Sequence, residues 1–118
     1  MRQFKRSDRL GRQILRDVST LMDNELTLSM PGMVTFTRVK LSDDLRQAKV
    51  YYSYLGAAAE RPGVQEFFNR EKGRIRSLVG KGLHIRHIPE LEFAFDPSVE
   101  EGMRIEELLN QIRDDAEQ

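Results

Sequence analysis

Asn69-Arg70-Glu71-Lys72-Gly73-Arg74-Ile75-Arg76-Ser77-Leu78-Val79-Gly80-Lys81 is a dense basic stretch with a glycine at its centre. Before the glycine, Val64, Phe67 and Phe68 supply the buried stripe of a helix that Pro62 can open. After it, Ile75, Leu78, Val79 and Gly82 share one helical face while Arg76, Ser77, Gly80 and Lys81 point away. An interior glycine costs a helix about 1 kcal/mol relative to alanine, so the stretch reads as two short helices meeting at a bend. A helix restarted at Gly73 would present unpaired backbone N–H groups among Lys72, Arg74 and Arg76, a setting suited to phosphate. Gly80 and Gly82 permit close approach of neighbouring structure or of a ligand.

Working outward, Leu10, Ile14, Val18 and Leu21 recur at helical spacing from Ser7 to about Asn24, with Ser7 placed to cap the helix. On its opposite side Arg9, Arg12 and Arg16 fall within an arc of about 60°. That basic stripe can hold phosphate or simply keep the helix soluble. A loop with Ser29-Met30-Pro31-Gly32 follows. Val34–Leu41 and Ala48–Leu55 then read as strands by their β-branched and aromatic content, joined by Ser42-Asp43-Asp44 as a turn. Ala48, Val50, Tyr52 and Tyr54 share one face of the second strand, and Lys49, Tyr51 and Ser53 the other. Tyrosines there could stack bases, but covering a core edge is the preferred reading. Gly56–Arg61 reads as a mobile connection. Pro89 blocks helix near its own position, and Leu91, Phe93 and Phe95 alternate in a third strand. Ser98 and Glu101 have the spacing of a capping box. Ile105, Leu108, Leu109 and Ile112 give the helix that follows an apolar face, expected to pack on the domain.

The order is therefore helix, strand, strand, helix, bend, helix, strand and terminal helix, an α+β layout with a three-stranded sheet. It matches the type II K-homology fold, α-β-β-α-(kink)-α-β, with an added C-terminal helix. One domain over residues 1–118 is expected, with its core at about 7–97, a helix at about 98–114 and an acidic end at 114–118.

Composition narrows the function. The 118 residues contain no cysteine, which removes disulfides and thiolate metal sites and fits a reducing cytoplasmic setting. No apolar run approaches the roughly 20 residues that cross a bilayer, so no membrane partner is expected. Formal charge is zero, yet residues 1–89 carry 17 Lys and Arg against 9 Asp and Glu, while residues 90–118 carry 2 against 10. A basic body with an acidic tail suits a polyanion-binding surface.

Several strings, in order and spacing, resemble the ribosome-binding factor A family from roughly Phe4 to Ile112. They are Val39-Lys40-Leu41-Ser42-Asp43-Asp44-Leu45 with Ala48-Lys49-Val50-Tyr51, then Gly73-Arg74-Ile75-Arg76-Ser77-Leu78, and Leu83-His84-Ile85-Arg86-His87-Ile88-Pro89-Glu90-Leu91-Glu92-Phe93 with Asp96. The resemblance implies a K-homology-like fold in which an Ala-x-Gly kink replaces the Gly-x-x-Gly loop. Glu71-Lys72-Gly73 occupies the kink here, and Glu71 is expected to turn outward towards Arg74 or Lys72. The resemblance further implies binding to the immature 30S subunit and its 16S rRNA, help with late maturation and 5′-end processing, and importance at low temperature.

The residues expected to meet RNA are Lys5, Arg6, Arg9, Arg12 and Arg16 on one surface, and Lys72, Gly73, Arg74, Arg76, Lys81, Arg86 and His87 on another. No catalytic residue, metal or cofactor is expected, and the free protein is expected to be a monomer. His84 and His87 lack acidic or cysteine partners at ligand spacing. Asp43, Asp44 and Asp96 suit turns and helix starts better than a metal-dependent nuclease. Beside that nuclease, a protein-interaction module using the sheet or the acidic terminal helix is the remaining alternative.

Overall fold

The computed structural model describes residues 2–24, 26, 31–82 and 87–117, with backbone alone at 2–5 and 117. Its elements are α1 (Arg2–Asn24), β1 (Met33–Leu41), β2 (Gln47–Leu55), a 3-10 turn (Ala58–Glu60), α2 (Arg61–Gly80), β3 (Glu90–Phe95) and α3 (Ser98–Glu117). The α+β class and the three-stranded sheet agree with the reading from sequence.

β1 and β2 pair antiparallel across a tight turn. The Ser42 amide donates to the Gln47 carbonyl at 2.9 Å, and Asp44 Oδ1 accepts from the Ser42 hydroxyl at 2.6 Å and the Arg46 amide at 3.0 Å. Leu45 completes the turn at φ 60°, in the left-handed region. β3 lies parallel to β2, so the connection between them must cross over, and α2 is that crossover. The sheet order is β1-β2-β3.

Alternation along β2 buries Ala48, Val50, Tyr52 and Tyr54 on one face. Against that face α1 contributes Ile14 and Val18, and α2 contributes Val64, Phe67, Phe68, Ile75 and Val79. Phe68 is fully buried and stacks on Phe93 with ring centroids 4.6 Å apart, while also touching Phe36, Tyr52 and Phe67. The buried tyrosines keep their hydroxyls paired. Tyr52 donates to Gln65 at 2.6 Å; Tyr54 donates to Glu60 and accepts from the Gly32 amide. Tyr51 faces outward beneath the Arg38 guanidinium, 4.1 Å from its ring centre. The preference for a core role over base stacking holds for Tyr52 and Tyr54.

Four local expectations need correction. α2 is one uninterrupted helix from Arg61 to Gly80, so no second helix begins at Gly73. Buried Phe68, Ile75 and Val79 keep one face in register across the glycine, and their packing outweighs its roughly 1 kcal/mol propensity cost. α1 starts at Arg2, which places Ser7 inside the helix rather than at its cap. Ser98 is already helical, and its amide donates to Asp96 Oδ1 at 3.0 Å, so Asp96 takes the capping role given to Ser98. The apolar face of α3 does not pack on the domain: Ile105, Leu108, Leu109 and Ile112 are each more than half exposed. The chain turns away after Pro97, and the radius of gyration is 17.2 Å where a compact chain of this length has about 13 Å.

Candidate nucleic-acid interface

The continuity of α2 changes how an anion could be held there. Inside a helix each amide is turned to the carbonyl one turn back, so Gly73 offers no free N–H group. The true N-terminus of α2, at Arg61, has Glu60 before it and Glu100 ion-paired to Arg61, so carboxylates already occupy the positive end of the helix. An anion held along α2 would therefore have to be held by side chains. Gly73 is exposed, and a Cβ built there meets nothing within 4 Å, which leaves the backbone open to close approach.

Helical geometry sorts the cations of α2 into two groups. Arg70, Arg74 and Lys81 fall within about 40° on the solvent side, and all three are exposed. Lys72 and Arg76, one turn apart, lie on the flank towards the segment before β3. Glu71 turns to Arg74 as expected, with 3.6 Å between the charged groups. An exposed pair of this kind is weak, worth about 0.3–0.5 kcal/mol, and leaves Arg74 available.

Arg76 has a second duty. Its Nε and Nη2 donate to the carbonyl of Ile88 at 3.2 and 2.7 Å, and Nε also to that of Pro89 at 3.1 Å. The guanidinium thereby pins the strand entry to α2. Beside it opens a cleft of about 370 Å³ lined by Arg46, Gln47, Arg76, His87, Ile88 and Glu90. The fold thus brings Arg76 and His87 together, and adds Arg46 from the β1–β2 turn. Arg46 is fixed at both ends of its peptide: its amide bonds Asp44, and its carbonyl accepts from the Glu90 amide at 2.8 Å. Hydrogen bonds from Ser42 and Arg46 hold the Asp44 carboxyl below its ordinary value.

Arg46 and Arg70 escaped the sequence reading. Arg46 sits thirty residues before Arg76, and only the parallel pairing of β2 with β3 joins them. Arg70 was legible from its i, i+4 relation to Arg74.

On α1, Arg6, Arg9, Arg12 and Arg16 are all exposed, and none belongs to the ion pairs among the described residues. Arg16 donates to Gln13 at 3.1 Å. Asp17, Thr20 and Leu21 of α1 share a groove with Leu78, Val79 and Gly82 at the end of α2. Arg16 therefore lies near the two-helix junction, whereas Arg9 stands about 16 Å up the helix from Thr20. Gly80 lets Ile88 approach so closely that a Cβ would collide with its end; Gly82 makes no such tight contact. The side chain of Lys5, and Arg86 and His84 entirely, lie outside the described residues.

The carboxylates considered for metal chemistry are occupied or apart. Asp43 is exposed in the turn. Asp96, buried at the end of β3, accepts from the Thr37 hydroxyl at 2.7 Å and the Ser98 amide, with Arg38 Nε 3.7 Å away. Among the described residues no three His, Asp or Glu side chains are grouped to hold a metal, and no helix is long and apolar enough to cross a membrane.

Comparison with known proteins agrees with this architecture. The sequence model for Ribosome-binding factor A matches residues 6–109. A ribosome-binding factor A of Citrifermentans bemidjiense is 39% identical over 116 residues, covering 97% of this chain and 98% of the relative. A Thermotoga maritima protein, solved in solution by NMR as a candidate ribosome binding factor A, superposes with a TM-score of 0.65 at 35% identity, covering 75% of this chain and 85% of that one. A homology model of Thermus thermophilus ribosome binding factor A, fitted into a cryo-EM map of its 30S complex, shares the fold at 22% identity and a TM-score of 0.54, covering 78% and 92%. With a family model spanning about nine-tenths of its sequence and a relative 39% identical over nearly its whole length, the chain belongs to the ribosome-binding factor A family.

Proposed function

We propose that this protein binds the immature small ribosomal subunit through its 16S rRNA and assists late maturation, including processing at the rRNA 5′ end. It acts in the cytoplasm as a monomer, without cofactor and without breaking a bond itself, and matters most at low temperature, where misfolded rRNA escapes slowly. The names of its relatives and the 30S complex formed by the Thermus protein support this reading.

The observation that carries it is the set of exposed cations on α2, with Arg70, Arg74 and Lys81 on its solvent side and Arg76 on its flank, where it lines a cleft with Arg46 and His87. Cations spaced along a rigid helix and a pinned turn match successive phosphates of folded RNA, and each neutralised phosphate releases counterions. A binder of this kind shifts rRNA only by its differential affinity for two conformations, so it must grip one rRNA arrangement better than another.

The test is co-sedimentation of the purified protein with small-subunit precursors. A paired Arg74→Glu, Lys81→Glu variant should bind roughly 20-fold more weakly at 0.15 M salt, the counterion release of two contacts. Arg76 is avoided because its loss would also free the strand entry. Unchanged binding by the folded variant would reject the rRNA interface.

A further inference from the structure

Six of the eight large hydrophobic side chains exposed among the described residues lie on α3. Ile105, Leu108, Leu109 and Ile112 form one stripe within an arc of about 100°. They are 54–63% exposed, although each belongs to a pattern built for burial. Among the described residues, the bonds that tie the helix to the body lie at its beginning: Asp96 on the Ser98 amide and Arg61 on Glu100. An unsupported 20-residue helix is marginal in water, and a contiguous apolar stripe on it marks an interaction face.

Charge decides among the occupants. Residues 98–117 contain seven Asp and Glu against two Arg, so phosphate repels α3. A second copy would bring the same excess of negative charge. Its stripe also spans about two turns, well short of the three to four heptads of a coiled coil. A basic protein surface satisfies both the stripe and its acidic borders.

We infer that α3 docks, stripe inward, on a basic protein segment whose apolar groove is bordered by lysine and arginine. Resting on the function proposed above, that partner is a ribosomal protein on the immature small subunit. The two ends of the molecule then divide the particle between them, α2 and the cleft on RNA and α3 on protein.

The experiment places the photo-crosslinker p-benzoylphenylalanine at Leu109 of the full chain bound to small-subunit precursors. The expected product is a ribosomal protein crosslinked through a peptide rich in Lys or Arg beside apolar residues. Crosslinks to rRNA or to a second copy, or no crosslink while co-sedimentation is intact, overturn this inference and leave the rRNA interface standing. Failure to co-sediment at all overturns both. A paired Ile105→Ser, Leu109→Ser variant should bind precursors at least about tenfold more weakly, because two apolar side chains lose their burial. The slope of its affinity against salt should stay that of the unaltered chain, and unchanged affinity contradicts the docking.

Discussion

Gly73 sits in open space within α2, with the helix continuing through it. Gly73→Ala should therefore stabilise the protein by about 1 kcal/mol, by restoring helix propensity at a site where the new methyl group meets nothing. Urea unfolding measures this directly, and destabilisation would mean that the helix breaks there after all. Asp96 makes the opposite kind of contribution. The Ser98 hydroxyl, Thr37 and the Ser98 amide hold its carboxyl below the ordinary value of 3.8 against the opposing effect of burial, with help from Arg38. A depressed folded value stabilises fully above 3.8 and is lost as pH falls below it, through the folded value. Asp96→Asn should cost about 1–3 kcal/mol at neutral pH. The gap between the two proteins should then narrow as unfolding is repeated at pH values descending below 3.8, and a gap independent of pH would contradict this role.

At the scale of elements, α2 and α3 have the same length, and only α2 is packed. Phe68→Ala should cost about 3–5 kcal/mol, since it empties the centre of the aromatic cluster. Ile112→Ser should change unfolding by less than about 0.5 kcal/mol, because that side chain is largely exposed. Equal effects of the two would show that α3 folds back on the body. The strands, the hairpin turn and the amphipathic helices were legible because their signals are local: alternation over residues 48–55, helical spacing at Ile14 and Val18, and turn chemistry at Ser42–Asp44. Gly73 misled because propensity is a small local term, overruled by the buried face of Phe68, Ile75 and Val79. The apolar stripe of α3 misled in another way. Periodicity shows that a face must be covered, and it does not say whether the same chain covers it. For the candidate site, the α2 cations were visible in sequence, while Arg46 needed the pairing of β2 with β3, and the structural role of Arg76 needed the carbonyls of Ile88 and Pro89.

The whole molecule separates its charge in space as it does in sequence. The basic body holds the sheet, α1 and α2, and the acidic helix leaves it from the end of β3, in a particle 62 Å long and 20 Å thin. Such a separation directs the body towards phosphate and turns the far helix away from it. The central claim is that side-chain cations on α2 and around its cleft bind structured RNA, with no help from free backbone amides. Affinity for small-subunit precursors across a salt series tests it most directly. Five or six phosphate contacts give log affinity against log salt a slope of about −4 to −5, and the paired Arg74→Glu, Lys81→Glu variant should be shallower by about 1.5. A slope near zero, or one that the folded variant leaves unaltered, would contradict the account.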